Sequence, residues 1–152
     1  MIMDHKLKLM VVDDSPLFRT WLIRSLSEDD RFQVVGYAVN ALDAQEKIPQ
    51  LQPDMLTLDI EMPGMSGIDF LKQLLPVHPI PVILVSSLNL RVFDALEAGA
   101  VDFVRKPDES NGLSKEIFLS MLRSKLMVAA ASHVHLPSVP ADPQAGGIRK
   151  VS

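Results

Sequence analysis

Five polar side chains in this sequence are of the types that carry out phosphoryl transfer. Asp13 and Asp14 follow the first apolar run, and Asp59 ends the third. Ser86 follows the fourth run, and Lys106 follows the fifth. An aspartate carboxylate can act as a nucleophile and form an acyl phosphate. A hydroxyl and an ammonium group can stabilise charge on the transferring group. These residue types predict a phosphoryl-transfer site, provided that the fold brings them together.

Three carboxylates in one place also call for a cation. Carboxylates within a few ångströms repel one another, and one takes up a proton unless a cation neutralises the group. Such oxygen ligands suit Mg²⁺ or Mn²⁺, with carboxylates, a carbonyl and waters around the ion. Taken singly, each residue has an ordinary explanation: the aspartates and the serine can cap helices or form turns, and the lysine can be solvated. Their combination favours the functional interpretation.

The elements that must position these residues alternate between strand and helix patterns. Five strands are predicted, several of them apolar throughout: 7–12, 32–38, 54–59, 82–85 and 101–104. Five helices are predicted: one from Pro16 after the cap Ser15, then 41–48, one with a stripe of Ile68, Leu71 and Leu75, then 89–98 and 113–131. Pro49 is expected to end or kink the second helix, and Gly99 to stop the fourth. Five βα units predict a parallel sheet with helices on both faces and ligands at the carboxyl ends of the strands.

The last predicted helix has a broad apolar face made of two adjacent stripes. One stripe holds Leu113, Ile117 and Met121, and the other holds Phe118, Leu122 and Leu126. Packing against the sheet explains such a face. Docking of a partner, or of a second copy of the chain, is the alternative explanation for part of it.

Length and composition predict one domain with a hydrophobic core. The chain has 152 residues, of which 47% are hydrophobic, and a formal net charge of −4. The acidic balance argues against nucleic-acid binding, and the lack of cysteine excludes disulfides and thiol chemistry. The N-terminal segment has no signal-peptide pattern, and no apolar run approaches the ~20 residues that span a bilayer. We therefore expect a cytoplasmic protein without membrane insertion.

The predicted domain covers residues 1–131. Residues 132–152 contain three prolines, a Gly146–Gly147 pair and no aromatic residue, which is typical of a flexible linker or tail. His133 and His135 lie in this segment. Two histidines alone make a weak metal site, so we interpret them as solvated.

Four motifs resemble the receiver domains of two-component response regulators. They are Val11-Val12-Asp13-Asp14-Ser15, Leu58-Asp59-Ile60-Glu61-Met62-Pro63-Gly64-Met65-Ser66-Gly67, Val85-Ser86-Ser87 and Phe103-Val104-Arg105-Lys106-Pro107. The motifs occur in the family's order at the predicted strand ends, and the resemblance covers about residues 7–130. It implies the doubly wound, flavodoxin-like (βα)5 fold of the α/β class, with a parallel five-stranded sheet in the order 2-1-3-4-5.

The resemblance also implies a phosphoacceptor and a metal site. Asp59 would accept a phosphoryl group from a histidine kinase. Asp14 and Asp59, with the backbone carbonyl of Glu61, would bind Mg²⁺ or Mn²⁺, and Asp13 would assist through water. Glu61 and Leu88 occupy positions that tune dephosphorylation in such domains.

The same resemblance implies a conformational switch. Ser86 would move toward the phosphoryl group, and Lys106 would pair with the acceptor and then with the phosphate. Phe103 would turn inward as Ser86 moves, changing the output face formed by the fourth helix, the fifth strand and the fifth helix. The Lys106–Pro107 peptide looks like the bond that is cis in this family.

A narrower resemblance is to the receiver half of chemotaxis protein-glutamate methylesterases. It rests on the segments 57–63, 85–88 and 95–104. In that subfamily a linker and a serine-hydrolase domain follow the receiver. The serine near glycines here is Ser66, which is not in a G-x-S-x-G elbow, so no esterase activity is expected from this sequence. The implied partners are a chemotaxis-type histidine kinase and a methylesterase domain or another output partner, with the chain a monomer or weak dimer.

Other functions are compatible with some of these residues. The chain could be a stand-alone regulator or a phosphate sink. An aspartyl-nucleophile phosphohydrolase of the haloacid-dehalogenase class shares these residue types, but its D-x-D motif on the first strand is missing here. A flavodoxin-like FMN module would need a phosphate-binding loop where Asp13 and Asp14 stand.

Overall fold

The computed structural model describes residues 6–87, 91–108 and 114–135. Five strands alternate with five helices in the order β1 (Leu7–Val12), α1 (Pro16–Ser27), β2 (Phe32–Ala38), α2 (Ala41–Leu51), β3 (Met55–Leu58), α3 (Gly67–Leu74), β4 (Val82–Ser86), α4 (Arg91–Glu97), β5 (Asp102–Arg105) and α5 (Lys115–His135). The strands form one parallel sheet in the order β2-β1-β3-β4-β5. The predicted flavodoxin-like fold and strand order are confirmed. None of the described helices is long and apolar enough to cross a membrane.

Two hydrophobic layers cover the two faces of the sheet. One layer packs α2, α3 and α4 against one face, through side chains such as Ile48, Phe70 and Val92. The other layer packs α1 and α5 against the opposite face, through Leu22 and Phe118 among others. Because successive strand residues point to opposite faces, the central strands are apolar on both sides, which explains their continuous hydrophobic runs.

A close contact holds the loop after β3 against the sheet. The Gly67 N–H donates to the carbonyl of Ile60 over 3.2 Å. A Cβ atom on Gly67 would come within 2.6 Å of the Ile60 Cα, so only glycine fits here without a shift of the backbone. The Ser66 hydroxyl accepts from the Asp69 N–H and begins α3. The loop that starts beside Asp59 is therefore anchored at both ends.

Two helix ends differ from the predictions. Helix α2 continues through Pro49 to Leu51, so the expectation that Pro49 ends it at that point is wrong. Pro49 lies in the last turn, where its missing N–H removes one helical hydrogen bond close to the natural end of the helix. Gln52, the residue after Leu51, closes the helix in the left-handed conformation, with φ of 49°. Helix α5 runs four residues past the predicted end at Ala131, into the segment predicted as tail.

The two apolar stripes of α5 have different environments. Phe118, Leu122 and Leu126 are buried against the sheet, as packing predicts. Ile117 and Met121 are exposed. Other predicted features lie outside the described residues: Leu113, the start of the fourth helix at 89–90, Leu88, and the chain beyond residue 135.

Candidate functional site

Hydrogen bonds just beyond the strands align the predicted site residues. The Asp13 N–H donates to the carbonyl of Ala38, and the Asp59 N–H donates to that of Val12, each over 3.0 Å. The Lys106 N–H donates to the carbonyl of Ser86 over 3.0 Å. The ladders of the sheet thus extend one residue past β1, β3 and β5. This extension places the side chains of Asp13, Asp59 and Lys106 at the carboxyl edge of the sheet, as expected for the ligand site of an open α/β fold.

Asp59 lies at the centre of the site and is only 6% exposed. Its Oδ1 accepts from the Ser86 hydroxyl over 3.2 Å and from the Glu61 N–H over 3.0 Å. Its Oδ2 accepts from the Lys106 ammonium over 3.1 Å. Both carboxylate oxygens therefore contact donors that can also stabilise negative charge on a group attached to this carboxylate.

Asp13 is 2% exposed and shares the Lys106 ammonium with Asp59. Its Oδ2 lies 3.0 Å from Lys106 Nζ, and its Oδ1 accepts from the Ser15 N–H over 2.8 Å. The Arg19 guanidinium donates to the Asp13 backbone carbonyl over 2.9 Å. Ser15 thus begins α1 as predicted, although its side chain makes no capping hydrogen bond. The hydrogen bond from the Ser15 N–H to the Asp13 carboxylate stabilises the turn that leads into α1.

Burial and ion pairing oppose each other at Asp13 and Lys106. Burial raises the pKa of the Asp13 carboxyl above its ordinary value, against the attraction of Lys106. Burial alone would lower the pKa of the Lys106 ammonium, but the charges of Asp13 and Asp59 outweigh it and the net direction is upward. Lys106 is therefore charged at neutral pH, and it compensates two buried carboxylates.

The carboxylates of Asp13, Asp14 and Asp59 can reach one metal ion. Each offers an oxygen, and these oxygens lie within 4.8 Å of one another. Asp14 is exposed, which gives the cluster an open side toward solvent. One ammonium does not balance three carboxylates, and a hard divalent cation suits an oxygen-only donor set. The residues present therefore fit Mg²⁺ or Mn²⁺. The Glu61 N–H contacts Asp59, which brings the Glu61 backbone to the same site.

Ser86 and Phe103 lie on the same face of the sheet. Ser86 is fully buried at the end of β4, two residues after Leu84. Leu84 pairs with Phe103 across β4 and β5, and both belong to the layer that covers the α3–α4 face. The Lys125 ammonium of α5 donates to the Phe103 carbonyl over 2.8 Å. Phe103 is thus linked to α5 through its backbone.

One local prediction for this region is wrong. The Lys106–Pro107 peptide is trans, since the described residues contain no cis peptide bond. An X–Pro bond permits the cis isomer without requiring it, because the two isomers differ by about 1 kcal/mol.

Sequence reasoning missed two side chains that touch the site. The Phe18 ring lies 4.6 Å from Lys106 Nζ, and Arg19 binds the carbonyl of Asp13. Phe18 recurs at four-residue spacing with Leu22 and Leu26 on an apolar stripe of α1, and nothing in this spacing distinguishes a core position from a position beside a charge. The signal that could have found Arg19 is its place on the first turns of the helix that follows Asp13-Asp14.

Comparison with known proteins agrees with this geometry. Residues 9–118 match the response regulator receiver domain family. The chain is 46% identical over 130 residues to a protein-glutamate methylesterase/protein-glutamine glutaminase of Syntrophomonas wolfei, which covers 86% of this chain and 38% of that protein. A protein of the same name from Vibrio vulnificus is 42% identical over 137 residues, covering 88% and 40%. The response regulator domain of Thermotoga maritima CheB superposes with a TM-score of 0.74 at 37% identity, covering 84% of this chain and 98% of that domain.

The chain therefore belongs to the response regulator receiver domain family. Within this family, it is a receiver of the type found in protein-glutamate methylesterases. The chain spans 38% and 40% of the two relatives described above. The likeness to these proteins therefore concerns their receiver part.

Proposed function

We propose that Asp59 is the phosphoacceptor of this receiver domain. The observation that carries the proposal is the set of contacts around its carboxylate: a serine hydroxyl, a backbone N–H and an ammonium group, at 3.2, 3.0 and 3.1 Å. Among the described contacts of the three clustered aspartates, only the Asp59 carboxylate accepts from a hydroxyl, a backbone N–H and an ammonium group. These donors contact the two carboxylate oxygens, one of which would be bonded to the phosphoryl group.

The proposed step transfers a phosphoryl group from a phosphohistidine of a kinase. An Asp59 oxygen attacks phosphorus, a P–O bond forms, and the P–N bond to the histidine breaks. The leaving imidazole nitrogen takes up a proton. Lys106 offsets charge on the phosphoryl oxygens, and the Ser86 hydroxyl donates a hydrogen bond to one of them. Water reverses the modification by hydrolysing the acyl phosphate.

The cation site is part of the same proposal. Asp13, Asp14 and Asp59 would hold Mg²⁺ or Mn²⁺ together with the Glu61 backbone carbonyl, with Asp13 acting through water. When bound, the ion would neutralise carboxylate charge and stabilise negative charge on the phosphoryl group. The exposed carboxylate of Asp14 leaves the open side through which a cation and a phosphodonor can enter.

Phosphorylation would act on the output face through Ser86 and Phe103. A phosphoryl group on Asp59 draws the Ser86 hydroxyl away from the carboxylate that it contacts at present. Because Ser86 moves, the packing beside β4 changes on the sheet face that also carries Phe103. The Lys125 ammonium of α5 donates to the Phe103 carbonyl and so connects β5 to α5. The face formed by α4, β5 and α5 would change with it.

The relatives suggest what reads this change. They are named protein-glutamate methylesterases and are longer than this chain. The proposed partners are a cytoplasmic histidine kinase of the chemotaxis type and a methylesterase domain that the unphosphorylated receiver inhibits. The chain itself would have no activity beyond its own phosphorylation and dephosphorylation.

The test is an intact-mass measurement after incubation with acetyl phosphate, with and without Mg²⁺. We expect one alkali-labile phosphoryl group on the wild-type chain with Mg²⁺ present, and none on Asp59→Asn. Asp54→Asn is a matched control, since Asp54 is an aspartate at the opposite end of β3, where its carboxylate accepts from the Lys8 N–H. Equal labelling of Asp59→Asn and the wild type would contradict the proposal.

A further inference from the structure

The ammonium group of Lys106 has an aromatic neighbour in addition to its two carboxylates. Its Nζ lies 3.0 Å from Asp13 and 3.1 Å from Asp59, and 4.6 Å from the centre of the Phe18 ring. Phe18 comes from α1 and belongs to the layer opposite the one that contains Phe103. The ring therefore reaches the lysine from α1, a helix that is not part of the proposed output face.

The Phe18 ring is itself fixed by two other rings. Its centre lies 5.6 Å from that of Trp21 and 5.8 Å from that of Phe118, with Trp21 and Phe118 6.0 Å apart. The Lys115 ammonium lies 5.0 Å from the Trp21 ring. Aromatic pairs at these distances attract one another. The cluster joins α1 to the first turn of α5 and gives Phe18 little freedom to move.

We propose that Phe18 is a positioning residue for Lys106, and this inference rests on the proposed phosphorylation of Asp59. A cation is attracted to the face of an aromatic ring, and more strongly where water is partly excluded, as it is around Lys106. Lysine has a flexible four-carbon stem, so its ammonium needs more than one contact to stay in one place. The ring holds the ammonium beside Asp59 before the phosphoryl group arrives.

The chemistry of the ring, rather than its size, carries this function. An aliphatic side chain at position 18 would fill similar space against Trp21 and Phe118, but would offer the ammonium no negative ring face. The Lys106 ammonium would then sample more positions, and fewer of them would suit an incoming phosphoryl oxygen. Tyrosine keeps the ring face and should restore the position of the lysine.

The first experiment measures the rate of labelling by acetyl phosphate with saturating Mg²⁺. Phe18→Leu should be labelled about fivefold more slowly than the wild type, in keeping with a partly desolvated cation–π contact. Phe18→Tyr should be labelled at nearly the wild-type rate. In a Lys106→Met background, Phe18→Leu should cause no further loss, because the interaction partner is already gone. Circular dichroism confirms that each variant is folded.

The second experiment needs no phosphorylation, and its first readout is on the wild-type protein. Ring currents should shift the Lys106 ε-methylene NMR signals of the wild-type protein upfield of those of the other lysines, with Lys106→Arg used for assignment. Where Phe18→Leu folds, this shift should disappear, and Phe18→Tyr should retain it. If Phe18→Leu does not fold, Phe18→Met replaces it in the rate measurement.

The outcomes separate this inference from the proposed function. Wild-type labelling together with equal rates in folded Phe18→Leu, or equal slowing in Phe18→Leu and Phe18→Tyr, would overturn the positioning role. An unshifted Lys106 signal in the wild type would overturn it as well. A wild-type chain that is not labelled at all would contradict the proposed function, while the NMR result would still decide whether the ring holds the lysine.

Discussion

Replacing Lys106 by methionine should destabilise the fold at neutral pH. The change removes an ammonium group 3.0 Å from Asp13 and 3.1 Å from Asp59, and leaves two buried carboxylates that offer oxygens within 4.8 Å of one another. At that separation and an effective dielectric constant of about 20, the repulsion is roughly 3.5 kcal/mol. Because the lysine side chain is 18% exposed and the carboxylates can relax or take up a proton, the expected loss is about 2–3 kcal/mol in the free energy of unfolding.

The deficit of Lys106→Met should shrink as the pH falls. Burial already raises the pKa of Asp13 above 3.8 in the folded wild type, and loss of the nearby positive charge raises it further. A carboxyl group with a raised pKa binds more protons in the folded state than in the unfolded state, so acidification favours the folded state in that window. In the wild type the raised pKa of Lys106 means that the stabilisation by its charge is lost only at alkaline pH.

The assay is urea denaturation without divalent cations, at neutral pH and again at about pH 5. Lys47→Met is the matched control, because Lys47 pairs with Asp43 at 3.3 Å on the surface, where a salt bridge contributes below about 1 kcal/mol. Addition of Mg²⁺ should recover part of the stability of Lys106→Met. Equal stabilities of Lys106→Met and the wild type at neutral pH would refute the view that this lysine compensates the buried carboxylates.

Two further variants test the metal site and the core beside it. Asp14→Ala should fold, since Asp14 is exposed, but its labelling by acetyl phosphate should fall to the level of the wild type without Mg²⁺ and no longer respond to Mg²⁺. Robust labelling that still requires Mg²⁺ would show that the metal ligands were wrongly assigned. Thr57→Val should raise the free energy of unfolding by about 1–2 kcal/mol in urea denaturation, since the Thr57 hydroxyl is buried without a hydrogen-bond partner among the described residues. Thr57→Ser, which keeps the hydroxyl, is the control and should be less stable than the wild type. A Thr57→Val chain that is no more stable than the wild type would mean that the Thr57 hydroxyl has a hydrogen-bond partner.

Alternating strand and helix patterns were enough to predict the sheet and the edge that carries the site. Parallel strands place their carboxyl ends together, so Asp13, Asp59 and Lys106 had to converge once the strands were recognised. Pairing of Lys106 with Asp59 followed from the resemblance to the receiver family. The contact of Lys106 with Asp13 is a finding of the structure, since it depends on where a flexible side chain settles.

The predictions that were wrong or incomplete concern features that a local pattern does not determine. Pro49 marks a place where a helix can end, but tertiary packing decides whether it stops there or two residues later. The isomer of the Lys106–Pro107 bond depends on the surrounding structure, because both isomers are accessible. The contact between Phe18 and Lys106 joins residues far apart in sequence, and periodicity shows only that Phe18 faces inward.

In the proposed function Asp59, rather than Asp13 or Asp14, carries the phosphoryl group. Borohydride reduces an acyl phosphate and converts the modified aspartate to homoserine, which peptide mass spectrometry can locate. After labelling with acetyl phosphate and Mg²⁺, we expect homoserine at position 59 and unmodified aspartate at positions 13 and 14. Homoserine at position 13 or 14, with none at position 59, would contradict it.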